Sequence, residues 1–274
     1  MAILHILSRL ALCAMMVFAL RGAANADESP LMRLDTGDAS RGWNAVGRLN
    51  MGDRSFCTGA LIAPNLVLTA AHCLFDSKTG ARINPDKIEF LAGWRNGRAE
   101  AYRGIKRAIA HPEYVYGGGD KLTRVSFDLA LLELDQPIRM ASILPFETDL
   151  SPHKGDSVGV VSYAKDRSEA ASLQEVCHVL NKEELLLVLS CNVDFGSSGA
   201  PIFSIRDGVA RVVSVVSSKA DYGGAEVALG TNLQGPLVAL RASLAAESSA
   251  FQKVDPALRD MESGAGTTAK FMKP

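Results

Sequence analysis

From Trp43 onward the chain is divided into short apolar runs by Gly, Pro, Asn and Asp, and this punctuation constrains the fold more than any other feature. The first series is Ala45–Leu49, Phe56–Ile62, Leu66–Ala71, Ile88–Ala92, Ile105–Ala110 and Leu129–Leu134. A second series comprises Ser157–Tyr163, Glu175–Leu180, Leu185–Ser190, Pro201–Ile205, Val209–Ser217 and Val227–Leu229. Strand starts spaced about 8 to 12 residues apart with turn signals between them predict an all-β barrel or sandwich. Leu185–Leu189 is also compatible with helix, because Leu is a good helix former and Glu183-Glu184 precedes it. Its short length and its end at a cysteine favour strand. Pro236, at a position tolerated in a first helical turn, opens Leu237–Ala246, which reads as one C-terminal helix.

Gly117-Gly-Gly-Asp120 and Asp135-Gln-Pro137 break the pattern, and the second is the better boundary, giving units over 43–136 and 137–247. Residues 27–42 are polar and turn-rich, and read as a loose lead-in or propeptide. Residues 248–274 read as a flexible tail. In the first 26 residues, Arg9 precedes an apolar run from Leu10 to Leu20, and Ala24-Asn25-Ala26 has the form of an export cleavage site. A retained membrane span is the alternative, but about 18 apolar residues are needed for one. A mature chain beginning at Asp27, with no stable membrane anchor, is therefore expected.

Charge and cysteine content follow from that cleavage. Of 29 basic and 30 acidic residues, loss of Arg9 and Arg21 leaves 27 basic residues and a net charge of −3. Such a balance gives no reason to expect a nucleic-acid partner. Cys13 falls in the leader, so four of five cysteines remain. An even number in an exported chain reads as two disulfides, for which three pairings exist. Cys57 with Cys73 and Cys177 with Cys191 close the shortest loops. A zinc site using His72 or His178 competes, but Cys-x-x-Cys pairs are lacking. The carboxylates around Asp76 and Asp86 lack the spacing of a calcium loop. Neither a metal nor a cofactor is expected.

Three segments carry chemistry: Leu68-Thr-Ala-Ala-His-Cys73, Phe127-Asp-Leu-Ala-Leu-Leu132 and Cys191-Asn-Val-Asp-Phe-Gly-Ser-Ser-Gly-Ala-Pro-Ile-Phe203. A serine hydroxyl needs an adjacent general base, and an imidazole held by a carboxylate suits that task. His72, Asp128 and Ser198 stand in the chain order of chymotrypsin-type arrangements, distinct from the subtilisin and α/β-hydrolase orders. Asp120, Asp135 and Ser197 are rivals for two of these roles. Asp120 and Asp135 lack the apolar run that follows Asp128.

On these residues the chain resembles the trypsin-like, chymotrypsin-fold serine peptidases, in the style of bacterial exported members that include the glutamyl endopeptidases. Phe56–Cys73 is similar to the strand pair that leads to the histidine of that family. Asp128–Leu134 is similar to its Asp-Ile-Ala-Leu-Leu motif, and Gly196–Pro201 to its Gly-Asp-Ser-Gly-Gly-Pro motif. The resemblance, from about Trp43 to Leu240, implies two six-stranded antiparallel β-barrels with a short C-terminal helix. It also implies a cleft between them, His72, Asp128 and Ser198 as catalytic groups, and an oxyanion hole from the backbone N–H groups of Gly196 and Ser198.

The departures matter as much. Ser197 stands where the animal enzymes have the aspartate that pairs with the new N-terminal amine after zymogen cleavage. Asn192 falls where trypsin has its basic-specific aspartate, so cleavage after Lys or Arg is not expected. The strand over Val213–Ser218 lacks the histidine that glutamyl endopeptidases use. Asn192, Ser217 and Lys219 are the candidate pocket residues, although a strand-end lysine is more often solvated. His111-Pro-Glu-Tyr114 reads as structural, and His153 and His178 as ordinary surface or strand histidines. The expectation is a secreted or periplasmic, monomeric serine endopeptidase acting on polypeptides. A catalytically silent peptide- or protein-binding module is the alternative. A protease-chaperone is disfavoured, since too little chain follows residue 240 for a further binding domain.

Overall fold

The computed structural model describes residues 28–52 and 55–252. The leader expected over residues 1–26 and most of the tail expected from residue 248 lie outside the described residues. After a two-residue strand β1 (Met32–Arg33), the chain forms β2 (Val46–Met51), β3 (Ser55–Ala63), β4 (Leu66–Thr69), β5 (Ile88–Ala92), β6 (Ala101–Ala110) and β7 (Ala130–Leu134). These close an antiparallel barrel in the order β2-β3-β4-β7-β6-β5. The second barrel comprises β8 (Ser157–Ser162), β9 (Ser172–Lys182), β10 (Leu186–Leu189), β11 (Pro201–Arg206), β12 (Val209–Tyr222) and β13 (Ala225–Asn232). Its order is β8-β9-β10-β13-β12-β11, with β11 pairing back onto β8. Two closed six-stranded antiparallel barrels are thus the architecture, and closure leaves neither with a long free edge.

Each apolar run became a strand because a barrel gives it an interior to face. Leu49, Leu61, Leu68, Phe90 and Leu131 fill the first barrel, and Val158, Val160, Val179, Leu187 and Ile202 the second. The burial of every residue from Val212 to Ser217, Ser214 included, reflects a strand covered on both faces. Val213 and Val216 point into the second barrel, whereas Val212 and Val215 join Phe203 in the core that spans the interface. There Phe203 meets Trp43 and Phe146 at ring distances of 5.2 and 4.7 Å. Leu185–Ser190 forms β10, the strand alternative.

Three features differ from the expected layout. The lead-in is docked: β1 pairs with β9 through Met32↔Leu173 and Arg33↔Ser172, and Leu34 is buried. It fills a length of β9 edge that β10 leaves open, since β10 pairs only with Val179–Lys182. A short helix α1 (Lys121–Ser126) precedes Asp128, capped by Asp120, whose Oδ2 accepts from Thr123 N at 2.8 Å. The last helix α2 (Pro236–Gln252) continues past residue 247, as no Gly or Pro interrupts it. No helix among the described residues is long and apolar enough to cross a membrane.

Candidate active site

The first barrel brings His72 and Asp128 together by register. β4 pairs with β7 so that Thr69 faces Ala130, and the two strands therefore deliver the residues just beyond them to one place. His72 lies on a 3-10 turn, Ala71–Leu74, that follows β4. Asp128 sits between α1 and β7 with only 4% of its side chain exposed. Its Oδ1 accepts from the backbone N–H of His72 at 2.8 Å, and its Oδ2 accepts from His72 Nδ1 at 2.7 Å. Ser217 donates a third, short hydrogen bond to Oδ2. A buried carboxylate is tolerable because all its partners are donors.

That bond fixes the imidazole with its proton on Nδ1 and leaves Nε2 as the acceptor towards the cleft. Burial disfavours the imidazolium, but the Asp128 charge and hydrogen bond outweigh it and hold the His72 pKa above the ordinary histidine value.

The hydroxyl of Ser217 reaches Asp128 through a break in strand register. Val216 faces Gly230 and Ser218 faces Leu229, so Ser217 is the extra residue of a β-bulge and is re-aimed out of the ladder. Ser217 was expected to line the substrate pocket; its hydroxyl holds the Asp128 carboxylate, and the residue also lines a cavity beside His72. The expected pocket partners Asn192 and Lys219 do line one cavity of about 210 Å³, together with Val193 and Glu226. Lys219 Nζ is 3.3 Å from Glu226 Oε2 and 4.0 Å from Asp194 Oδ1, so its charge is already compensated.

Ser198 belongs to the second barrel, but its loop is held by the first. Thr58 N donates to Ser198 O at 2.8 Å, and Thr58 Oγ1 donates to Gly196 O at 2.9 Å. Thr58 is fully buried, and its carbonyl accepts from Thr69 Oγ1 at 2.8 Å. This residue escaped sequence reasoning; nothing in a threonine beside Cys57 marks it as a clamp across an interface. The glycines on either side are required by space and backbone. Gly199 has φ 79°, and a Cβ there would lie 2.0 Å from Thr69 Oγ1 and 2.3 Å from Thr58 O. At Gly196, φ is 99° and a Cβ would lie 2.3 Å from the Phe56 ring.

His72, Gly196 and Ser198 line a cavity of about 400 Å³ with Phe56, Phe195 and the Cys57–Cys73 disulfide. The amides of Gly196 and Ser198 have no acceptor among the described residues. No hydrogen bond joins His72 to Ser198 within them, a looseness common where no substrate is bound. Ser197 is unsuited to attack: it is fully buried and its Oγ donates to Tyr163 O at 3.2 Å. Arg167 Nη2 also reaches it at 3.4 Å.

Asp120 is occupied as a helix cap, and Asp135 accepts from Gln136 N at 2.7 Å. His111 is buried, and burial lowers its pKa against the pull of Glu113; its Nδ1 accepts from Glu113 N. The second disulfide joins Cys177 and Cys191. The cluster of Cys57, His72 and Cys73 has its two sulfurs bonded to each other, which removes the thiolates a metal would need.

Residues 57–213, more than half of the chain, match the trypsin-like peptidase domain family. The chain is 25% identical over 182 residues to a glutamyl endopeptidase of Bacillus licheniformis, covering 65% of this chain and 55% of that protein. It is 37% identical over 84 residues to human kallikrein-10, covering 30% of this chain and 28% of that protein. The chain thus spans about half, or less, of the length of these relatives. A solved structure of a Glu endopeptidase in complex with MPD superposes with a TM-score of 0.65 at 17% identity, covering 80% of this chain and 98% of that one. Twin closed barrels, the matched segment and this shared fold agree: the chain belongs to the trypsin-like peptidase domain family.

Proposed function

We propose that the protein is an exported serine endopeptidase in which Ser198, His72 and Asp128 are the nucleophile, base and orienting carboxylate. The observation that carries this is the Asp128–His72 pair, with His72 opening onto the same cavity as Ser198 and two unpartnered amides. Ser198 Oγ attacks the peptide carbonyl carbon while its proton passes to His72 Nε2. The carbonyl oxygen takes up the electron pair and is held by the Gly196 and Ser198 amides. The C–N bond then breaks, the amine leaves with the proton from His72, and an acyl-enzyme ester remains. Water, deprotonated by His72, hydrolyses that ester and restores Ser198.

Two disulfides and the leader-like N-terminal sequence support action in an oxidising compartment, secreted or periplasmic. We take the enzyme to act as a monomer on polypeptides, without a membrane anchor or cofactor. The rival reading is a silent domain that binds peptides; the intact Asp128–His72 pair favours catalysis. A fluorophosphonate labels an activated serine, so the folded wild-type chain should be labelled and should hydrolyse unfolded protein, while Ser198→Ala should do neither. Undiminished hydrolysis by Ser198→Ala would sink the assignment, and an unlabelled wild type would favour the binding module.

A further inference from the structure

A second cavity, of about 250 Å³, opens on the other side of His72, where Asp128, Ser217 and Ser218 meet Tyr114 and the helix α1. Two cations of α1, Lys121 and Arg124, line it. Three residues apart, they share one face of the helix. Neither forms an ion pair among the described residues, in contrast to Lys219, which has Asp194 and Glu226.

The nearby carboxylates have other hydrogen-bond partners: Asp120, which feels the Arg124 charge without forming an ion pair with it, is tied to Thr123, and Asp128 to His72 and Ser217. Arg124 Nε and Ser218 Oγ are both buried atoms without a hydrogen-bond partner. The helix that presents these cations is held in place: Val125 packs on Leu186, Val188, Val227 and Leu229, and its carbonyl accepts from Thr231 Oγ1 at 2.6 Å.

We propose that this cavity is a subsite for a carboxylate side chain, Asp or Glu, of a substrate residue that flanks the scissile bond. An ammonium, a guanidinium and a hydroxyl together offer donors to a group that only accepts. The cavity shares His72 with the cavity of Ser198, and an extended chain advances only about 3.3 to 3.6 Å per residue. The residue it receives is therefore one or two positions from the bond, and the preference is separate from any choice at the bond itself.

This proposal rests on the peptidase reading above, so the test separates the two. Peptides differing only by Asp against Asn, or Glu against Gln, at each position around the bond are compared by kcat/KM. In the wild type the acid is expected to be preferred roughly tenfold at one flanking position. That ratio should fall to near one in Lys121→Gln/Arg124→Gln and invert in Arg124→Glu, with thermal melts checking that the variants fold. Binding of the same peptide pairs to the Ser198→Ala chain reads the ratio without turnover. Failure of the wild type to cleave overturns the peptidase reading alone. No acid preference in either assay, or a preference the α1 variants leave intact, overturns the subsite.

Discussion

The two barrels hold their contributions to the site in different ways. His72 and Asp128 lie at the ends of paired strands of the first barrel, and the register Thr69↔Ala130 sets them side by side. Ser198 lies on a loop of the second barrel whose carbonyls are fastened to Thr58 of the first. Reciprocal ties run the other way: Ser217, on a bulge of the second barrel, reaches the Asp128 carboxylate, and Thr231 Oγ1 donates to the carbonyl of Val125. The proposed base and orienter thus both come from one barrel, while the alignment of Ser198, the proposed nucleophile, depends on the interface. Damage to the first barrel's pair should remove proton transfer, whereas damage to the interface ties should misplace the serine and leave the proton chemistry intact.

The most severe test is Asp128→Asn, which removes the charge and the tautomer control at His72 and should lower kcat by about 10⁴-fold. It should also move the acid limb of the pH–rate profile. His72 must be neutral to act as base, so activity in the wild type should rise with pH through a midpoint above the ordinary histidine value of 6.5. With Asp128 gone only the effect of burial remains, and the midpoint should fall. In stability the same raised pKa gives a contribution present in full below 6.5 and lost as pH rises through the folded value. A profile whose midpoint does not move on substitution would break the assignment of the pair.

Removal of the second-barrel disulfide by Cys177→Ser/Cys191→Ser should lower unfolding stability by about 3 kcal/mol, as expected for a loop of this length. Denaturant melts measure it, and since this bridge lies in the interior of the second barrel, kcat of the folded variant should change little. A smaller effect sharpens the comparison most. Thr58→Val keeps the volume but deletes the hydroxyl that holds Gly196, and should cost roughly 10- to 100-fold in kcat. The apparent pKa of His72 should stay where it is. A shift of that pKa with unaltered kcat would mean that the interface does not position Ser198.

Much of this organisation was legible because it depends on local pattern. All twelve barrel strands coincide with the apolar runs, since each run needs only an interior to face, and alternation or continuity reveals how many of its sides are covered. The candidate groups His72, Asp128 and Ser198 stood out because their neighbours are small, apolar or glycine for reasons of space, as the close approaches at Gly196 and Gly199 illustrate. The strand β1 was hidden because two residues, Met32 and Arg33, carry no period. The helix α1 was hidden because six residues are too few, although Asp120 with Thr123 was a readable cap.

By itself, then, the sequence determined the twelve apolar strands, the all-β class and the residue types of the candidate site, because burial and turn geometry act over a few residues, while the resemblance pointed to barrels over a sandwich. Only the tertiary structure decided what Thr58 and Ser217 touch and which cavity the α1 cations line. These arrangements join segments 138, 89 and about 100 positions apart. They depend on a bulge in one strand and on the seating of one barrel against the other, and neither leaves a mark on the residues nearby in the chain.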